Sequence, residues 1–333
     1  MPDSKKVRLG IIGAGGISQV AHIPNILGTR SAELVAICDS DAGRAAGVAE
    51  RFGLPVWFDE PEALFRHAAL DGVLITTPTI SHVALAQLAF ESGVDVMIEK
   101  PFARTTTEAR AIVEYAERSG RLVIPAMNHR FRSDTIHLRR VLAKKELGEL
   151  TMIRAGWLRQ LGVWGRPYWF SDQKLSGGGV LMDLGIQMID LVFFLTGFPV
   201  VIEVVGSIND KALALDVEDT ATAFIRLEDE SVFQLEVSWA NCDDHDKAYT
   251  WFSGTRGAAA LNPLRLSRRQ KDAIEHIDLP NFGDDVRLYR NSFQTEIAHF
   301  VECIKKRQKP LATGQEAVKV MEVVEAIYHS AGR

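Results

Sequence analysis

Residues 99–101 read Glu-Lys-Pro at the end of an apolar run, and three glycines at 177–179 precede an aspartate at 183 and a glutamine at 187. A lysine ammonium can hydrogen-bond a substrate hydroxyl, and beside another cation or in a dry cleft it titrates closer to neutrality, so Lys100 is a candidate functional residue. Pro101 forbids simple continuation of the strand that delivers Glu99 and Lys100. Asp183 and Gln187 are four apart and share one helix face, with Asp190 close to it. A carboxylate on so apolar a helix is costly without a partner, and Lys100 would be an apt one. Two plainer readings stand beside these. Glu99 and Lys100 could form a surface ion pair of little energetic weight, and Asp183 could be a satisfied structural acid.

A third stretch, VRLGIIGAGGIS from Val7 to Ser18, is an apolar run that meets closely spaced glycines before an amphipathic segment. It reads as strand, tight turn and helix start. Gly13, Gly15 and Gly16, with Ile17 opening the helix, sit where a dinucleotide-binding unit brings its backbone against a pyrophosphate. Ser18 holds the third fingerprint position, where Gly or Ala is usual, which predicts slightly looser packing of helix on strand. A second strand, Glu33 to Cys38, ends in Asp39, whose carboxylate could accept hydrogen bonds from adenosine ribose hydroxyls. That favours NAD over NADP, because a 2'-phosphate would meet a negative charge. A strand ending in TTPTISH adds Thr77, Pro78 and His82 to the cofactor-binding candidates, together with Glu99 and Lys100. A Gly-rich turn in an unrelated α/β domain is the alternative.

These residues require an alternating framework to hold them. From Met1 to about Pro125 strands and helices alternate, which predicts a parallel sheet covered on both faces. The helices run Ala42 to Phe52, Glu62 to His67, His82 to Ser92 and Thr105 to Ser119, three of them closed by Gly53, Gly93 and Gly120. After the linker Asn128-His129-Arg130-Phe131 and a helix from Asp134 to Lys144, strand signals follow at Thr151 to Arg159, Val200 to Ser207, Thr220 to Leu227, Ser231 to Trp239 and Lys247 to Ser253. They predict an antiparallel meander, with helices Ser292 to Lys305 and Gly314 to Ser330 ending the chain. The fold class is therefore α/β: an N-terminal Rossmann parallel sheet (residues 1–125) and a C-terminal α/β domain with a large open, mainly antiparallel sheet (126–333). The open face of that sheet needs a cover. With Phe224, Phe233, Leu235 and Val237 as candidates, a homodimer through the sheet, or a homotetramer, is expected.

The chain has 333 residues, 47% of them hydrophobic, with a formal net charge of -5, so no electrostatic reason points to nucleic acid or an anionic membrane. Cys38, Cys242 and Cys303 argue against a disulfide framework, and the histidines show no metal-ligand spacing, so no metal is assigned. No leader-like segment opens the sequence and no apolar run approaches the length of a membrane span, which makes a reducing cytoplasm the expected location.

In this order and spacing, GAGGIS, TTPTISH, EKP and SGGGVLMDLGIQMID resemble the glucose-fructose oxidoreductase/inositol dehydrogenase/rhizopine-catabolism (Gfo/Idh/MocA) family over essentially the whole chain. The resemblance implies an NAD- or NADP-dependent oxidoreductase that holds a sugar, polyol or related substrate over the nicotinamide. It implies that Lys100 positions the reacting hydroxyl and that Asp183 matches the family's aspartate. The family's usual proton acceptor, a histidine, falls on Gln187. An amide donates and accepts hydrogen bonds but takes no proton near neutral pH. Three readings stay open: a dehydrogenase whose proton is carried by Lys100, His129 or Tyr168; a reductase in which Lys100 suffices as acid; and a dinucleotide- and sugar-binding regulator or an NAD-assisted glycosidase. Trp164, Arg166, Tyr168 and Trp169 are pocket-wall candidates, because aromatic faces suit the C–H faces of a sugar and Arg166 suits a carboxylate or phosphate. Asn128, Arg130, Asp183 and Gln187 complete the expected substrate set.

Overall fold

The computed structural model describes residues 5–161, 169–271 and 273–333. By contact the chain forms two units, Met1–Asn128 with Arg290–Ala317 and His129–Tyr289 with Val318–Arg333. The first crossing falls close to the division read from the sequence, but residues 290–317 return to the first unit and do not stay with the second.

The first unit is a six-stranded parallel sheet of β1 (Val7–Ile12), β2 (Ala32–Cys38), β3 (Trp57–Phe58), β4 (Gly72–Ile75), β5 (Asp95–Ile98) and β6 (Val123–Pro125), in the order β3-β2-β1-β4-β5-β6. Every residue of β4 and β5 is buried, so both alternating sets of side chains are covered, as helices on both faces require. Leu9, Ile11, Ile37, Leu74, Met97 and Ile124 build the core with Ile297, Phe300 and Val301 from α9 (Asp285–Lys306). Helix ends follow local chemistry. Asp41 caps α2 (Ala42–Phe52) by accepting from the Arg44 N–H, and Gly53 closes it at φ 65°. The strand order reverses between β1 and β4, and ligands of open α/β sheets bind outside the carboxyl ends of the strands at that switch point.

The second unit carries an eight-stranded sheet, in the order β14-β13-β12-β11-β7-β10-β9-β8. Its strands are β7 (Leu150–Gln160), β8 (Val201–Asn209), β9 (Thr220–Leu227), β10 (Val232–Asn241), β11 (Lys247–Gly254), β12 (Gly257–Leu261), β13 (Arg265–Gln270) and β14 (Ala273–His276). The expected meander needs correcting: β7 lies between β11 and β10 and runs parallel to β10, while the other pairings are antiparallel. The last three strands were not anticipated, because GAAAL and RLSRRQ lack the apolar-polar alternation of half-buried strands.

Side-chain parity corrects a second expectation. Phe233 pairs with Ile225, and Phe233, Leu235 and Val237 are all buried on the helix-covered face. Phe224 pairs with Gln234 instead and is 54% exposed. A one-residue offset places a strand side chain on the opposite face, so Phe224 alone of the four belongs to the open side.

The covered face packs on α6 (Ser133–Ala143), the π turn Leu181–Gly185 and α8 (Ile186–Thr196). The helical stretch Gln173–Thr196 is, against expectation, long and apolar enough to cross a membrane; 94% of its apolar window is buried inside the protein, which marks it as a core helix. Within it Asp190 takes the Arg130 guanidinium at 2.9 and 2.5 Å, both groups fully buried, beneath the rings of Phe194 and Phe198. Removing one partner of a buried pair strands the other charge. Asp190→Ala should therefore lower the unfolding free energy of the second unit by about 3–5 kcal/mol in urea titrations followed by tryptophan fluorescence; a loss within error of zero would show that Arg130 finds water.

Candidate functional site

In the first unit the glycine turn rises from β1 and touches the end of β4. Gly13 takes φ 105°, and a Cβ there would lie 2.8 Å from the carbonyl carbon and oxygen of Thr76, so only glycine allows the approach. Ser18 is fully buried; its hydroxyl donates to the Gly13 carbonyl at 2.6 Å and lies 2.8 Å from the Thr76 hydroxyl. The expected loosening at this position is thus corrected: Ser18 ties helix to strand through a hydrogen bond that Gly or Ala could not make. Beyond it the helix opens into a π turn, Ser18–His22, before α1 (Ile23–Leu27).

Asp39 is buried, with Oδ2 accepting from the Ala14 N–H at 2.7 Å and Oδ1 from the Asp41 N–H at 3.0 Å. Arg44 Nη1 lies 3.3 Å from Oδ1. Nη1 is also 3.4 Å from Oδ2, so the roughly four lone-pair directions of the carboxylate are all engaged, and a ribose hydroxyl would take a direction that the half-exposed Arg44 gives up. Thr77 binds Ser81 hydroxyl to hydroxyl at 2.6 Å, with Pro78 between them. His82, one of the cofactor-binding candidates, is packed and hydrogen-bonded. It is buried at the start of α4 (His82–Glu91), its ring nitrogens 3.0 Å from the Thr77 carbonyl and 3.3 Å from that of Phe102, and burial pushes its imidazole below the usual range.

Glu99 and Lys100 follow β5 at the carboxyl edge of the sheet. Glu99 is buried, accepting the Lys100 N–H at 2.9 Å and lying 2.7 Å from His22 Nε2. Burial raises the Glu99 carboxyl, but the His22 hydrogen bond and charge, with the Lys100 ammonium and N–H, outweigh it and hold the group below the usual carboxylate range. His22 was missed in the sequence, where nothing marks a histidine inside a helix as the partner of an acid 77 residues away. Asn128, also buried, donates its amide to the Ser292 hydroxyl at 2.9 Å.

In the second unit Asp183 lies in the π turn, where its Oδ2 accepts from the indole N–H of Trp239 at 3.0 Å. Trp239 was missed as a partner of Asp183; it continues the buried alternation 233, 235, 237 of β10, which marks an indole in need of an acceptor but not which acceptor it finds. Gln187 is buried and turns its amide N–H back onto the Asp183 carbonyl at 3.0 Å. Glu218, missed entirely, holds this segment. Its Oε1 accepts from the N–H of Gly179 at 2.9 Å, that of Leu181 at 3.1 Å and the Tyr328 hydroxyl at 2.7 Å, while its own carbonyl accepts from Val180 at 3.0 Å. A Cβ on Gly179 would sit 2.1 Å from that carbonyl oxygen, which explains the third glycine of the run. Burial raises the Glu218 carboxyl above its usual range, although these hydrogen bonds oppose the shift.

Trp169 packs edge-on with Phe170, which meets Trp239 in the same way. Arg130 leaves the expected substrate set, because its guanidinium is fully buried and held by Asp190. His129 sits edge-on to the rings of Trp157 and Tyr289. Trp164, Arg166 and Tyr168 lie outside the described residues. Asp243, Asp244 and His245 gather on an exposed turn between β10 and β11, where Lys247 and the histidine already engage the two acids.

The first unit fits a dinucleotide on its own geometry. Gly15 and Gly16 have no protein atom within 4 Å of where a Cβ would be, so nothing inside the protein demands glycine there. A dinucleotide pyrophosphate passing over the turn would demand it. Gly15→Val should leave the thermal transition within about 2 °C of wild type, since surface substitutions cost about 0.5 kcal/mol or less, while weakening NADH binding at least about tenfold by fluorescence titration, an interaction of roughly 1.4 kcal/mol. Unchanged binding would show that the pyrophosphate does not cross this turn.

The model of an oxidoreductase family with an NAD-binding Rossmann fold matches residues 7–127, and that of the GFO/IDH/MocA C-terminal domain matches residues 135–260. D-glucoside 3-dehydrogenase of Escherichia coli K12 is 29% identical across 98% of this chain and 96% of its own length. The NAD-linked scyllo-inositol 2-dehydrogenase of Bacillus subtilis 168 is 24% identical across 96% and 92%. The solved structure of levoglucosan dehydrogenase in complex with NADH and L-sorbose superposes with a TM-score of 0.89 at 20% identity, covering 99% of this chain and 97% of that one. With the glycine turn, Lys100 and the Asp183 segment in place and both of its domains matched, the chain belongs to the Gfo/Idh/MocA family of NAD-binding oxidoreductases.

Proposed function

We propose that this oxidoreductase moves a hydride between NAD and a secondary hydroxyl or ketone of a sugar, cyclitol or sugar derivative. The observation that carries the reading is Lys100, anchored through Glu99 at the carboxyl edge of a sheet whose glycine turn fits a dinucleotide. NAD, when bound, supplies a hydride acceptor at C4 of its nicotinamide. In the oxidative direction Lys100 enters as the neutral amine, takes the hydroxyl proton at Nζ and becomes the ammonium while the carbon gives up its hydride; in the reductive direction the ammonium returns that proton to the new alkoxide oxygen. Within the second unit Asp183, aimed by the Trp239 indole, offers an acceptor and the Gln187 amide offers a further hydrogen-bonding group, both suited to sugar hydroxyls. Trp169 offers an aromatic face to the ring. Carbohydrate as the substrate class is supported by the names of the glucoside and inositol dehydrogenases to which the chain is similar. NAD in preference to NADP is supported by the buried Asp39 carboxylate, which would repel a 2'-phosphate.

The same proposal extends to assembly and location. On the open sheet face Val205, Phe224 and Trp251 are 57%, 54% and 46% exposed, in one cross-strand row that continues through Gln234 and Arg154. Such a row calls for a cover, and a second copy of the chain meeting it face to face gives a homodimer, with a homotetramer as the larger form. Three free cysteines suit a reducing cytoplasm.

Two measurements test this. Wild-type protein mixed with NAD and a panel of sugars, polyols and sugar acids should show saturable growth of reduced-cofactor absorbance. Lys100→Met should lower kcat by about 10²–10⁴-fold, the usual weight of a general acid-base group. Dinucleotide binding with no turnover in either direction would make the protein a regulator. For assembly, Phe224→Asp should move the sedimentation coefficient toward that of a monomer; an unshifted value would remove this face from the interface.

A further inference from the structure

Within the first unit a buried histidine stands outside the proposed reaction, and it is paired with the carboxylate that anchors Lys100. His22 is fully buried in the π turn that follows the glycine turn, with Phe293 edge-on to its ring at 6.1 Å. Its Nε2 is 2.7 Å from Glu99 Oε1, and its Nδ1 is buried with no hydrogen-bond partner among the described residues. An ionised carboxylate can only accept, so the hydrogen of this bond belongs to Nε2, which fixes how the ring is used. The other Glu99 oxygen, Oε2, accepts the main-chain N–H of Lys100. One carboxylate therefore grips the helix that starts at the glycine turn with one oxygen and the peptide of Lys100 with the other. A surface ion pair would need neither the burial nor the division of labour between the two oxygens.

We propose that His22 and Glu99 are positioning residues for Lys100, a buried strut that fixes the peptide and the charge surroundings of the lysine from the helix that receives the dinucleotide. The inference rests on the reading of Lys100 as proton carrier. Through Ser18, which bonds the Gly13 carbonyl, the strut's foot is the cofactor turn itself. The titratable neighbours that act on Glu99 or feel it are His22, Lys100 and His82, so any change is referred to the wild-type protein.

The test reads Lys100 directly. In cofactor-free protein, acylation of Lys100 by acetic anhydride is followed against pH by mass spectrometry, beside NADH fluorescence titration, thermal unfolding and steady-state kinetics. Glu99→Gln keeps the shape and removes the charge. It should bind NADH within about threefold of wild type and lose at least about tenfold in kcat with KM within about threefold. It should also change the labelling profile of Lys100, because the carboxylate that holds its peptide and faces its ammonium has lost its charge. His22→Leu should reproduce the kcat loss, and His22→Gln, whose amide can still donate to Glu99, should recover most of it. Labelling and kcat unchanged in both Glu99→Gln and His22→Leu would overturn the strut. So would variants in which NADH binding, melting temperature and activity fall together, since that pattern belongs to a structural role. If Lys100→Met kept its turnover, the proton-carrier reading would fail, while a shifted labelling curve in Glu99→Gln would still establish the strut.

Discussion

In the cofactor-binding half the main chain of Gly13 is drawn against that of Thr76, and much of the site is arranged by this approach. No side chain fits between them, because a Cβ would stand 2.8 Å from the Thr76 carbonyl group. The ends of β1 and β4 are drawn together where the strand order reverses, and the turn is left with no bulk on its outer side. Hydrogen bonds then lock the approach: Gly13 donates to the Cys38 carbonyl at 2.7 Å, Ser18 and Thr76 serve the Gly13 carbonyl, and Asp39 accepts from Ala14. Asp39 is thereby placed by the turn it would serve, a backbone contact preceding and fixing a recognition group.

The second half solves a different problem with a buried charge. The segment from Gly178 to Gly185 must enter a core helix with its first N–H groups away from water, and such groups need acceptors. Glu218 supplies them with a carboxylate and a carbonyl at once, and Tyr328 near the end of α10 (Gly314–Ser330) closes the network. Burial favours the neutral carboxyl while the donors favour the anion, so the group is a compromise in which hydrogen bonds limit the cost of desolvation. Asp183 inherits a fixed place from this arrangement and a fixed direction from Trp239.

What could be read from the sequence was what local chemistry decides. Gly53, Gly93 and Gly120 end helices at positive φ where they were expected to, and Thr220–Leu227 alternates as a half-covered strand should. The glycine turn, Asp39 and the end of β5 follow from strand-turn-helix grammar. What escaped was set by partners far along the chain. Arg130 stands beside a motif and looks like a ligand-binding cation, yet Asp190, 60 residues on, consumes it. His22 and Glu99 each look unremarkable until the fold brings them to 2.7 Å. The parity of Phe224 against Phe233 depends on which residues the turn Glu228–Glu230 leaves opposed, and a single residue there reverses the face. The alanine-rich and arginine-rich strands β12 and β13 owe their pairing to a neighbour already in place rather than to their own pattern.

Gln187 shows how far a site can depart from its family and stay coherent. A histidine there would take the substrate proton; an amide cannot, and here its N–H is turned onto the Asp183 carbonyl one turn back. The loss of a general base costs about 10²–10⁴ in rate, a small part of the acceleration that hydride transfer between positioned groups provides. Proton transfer then falls to whatever ionisable group the fold already holds against the reacting oxygen. A lysine proposed for that task has to be kept from wandering, and a flexible four-carbon side chain does not do this alone. The anchoring of its peptide by a buried carboxylate is therefore what the amide substitution makes most necessary.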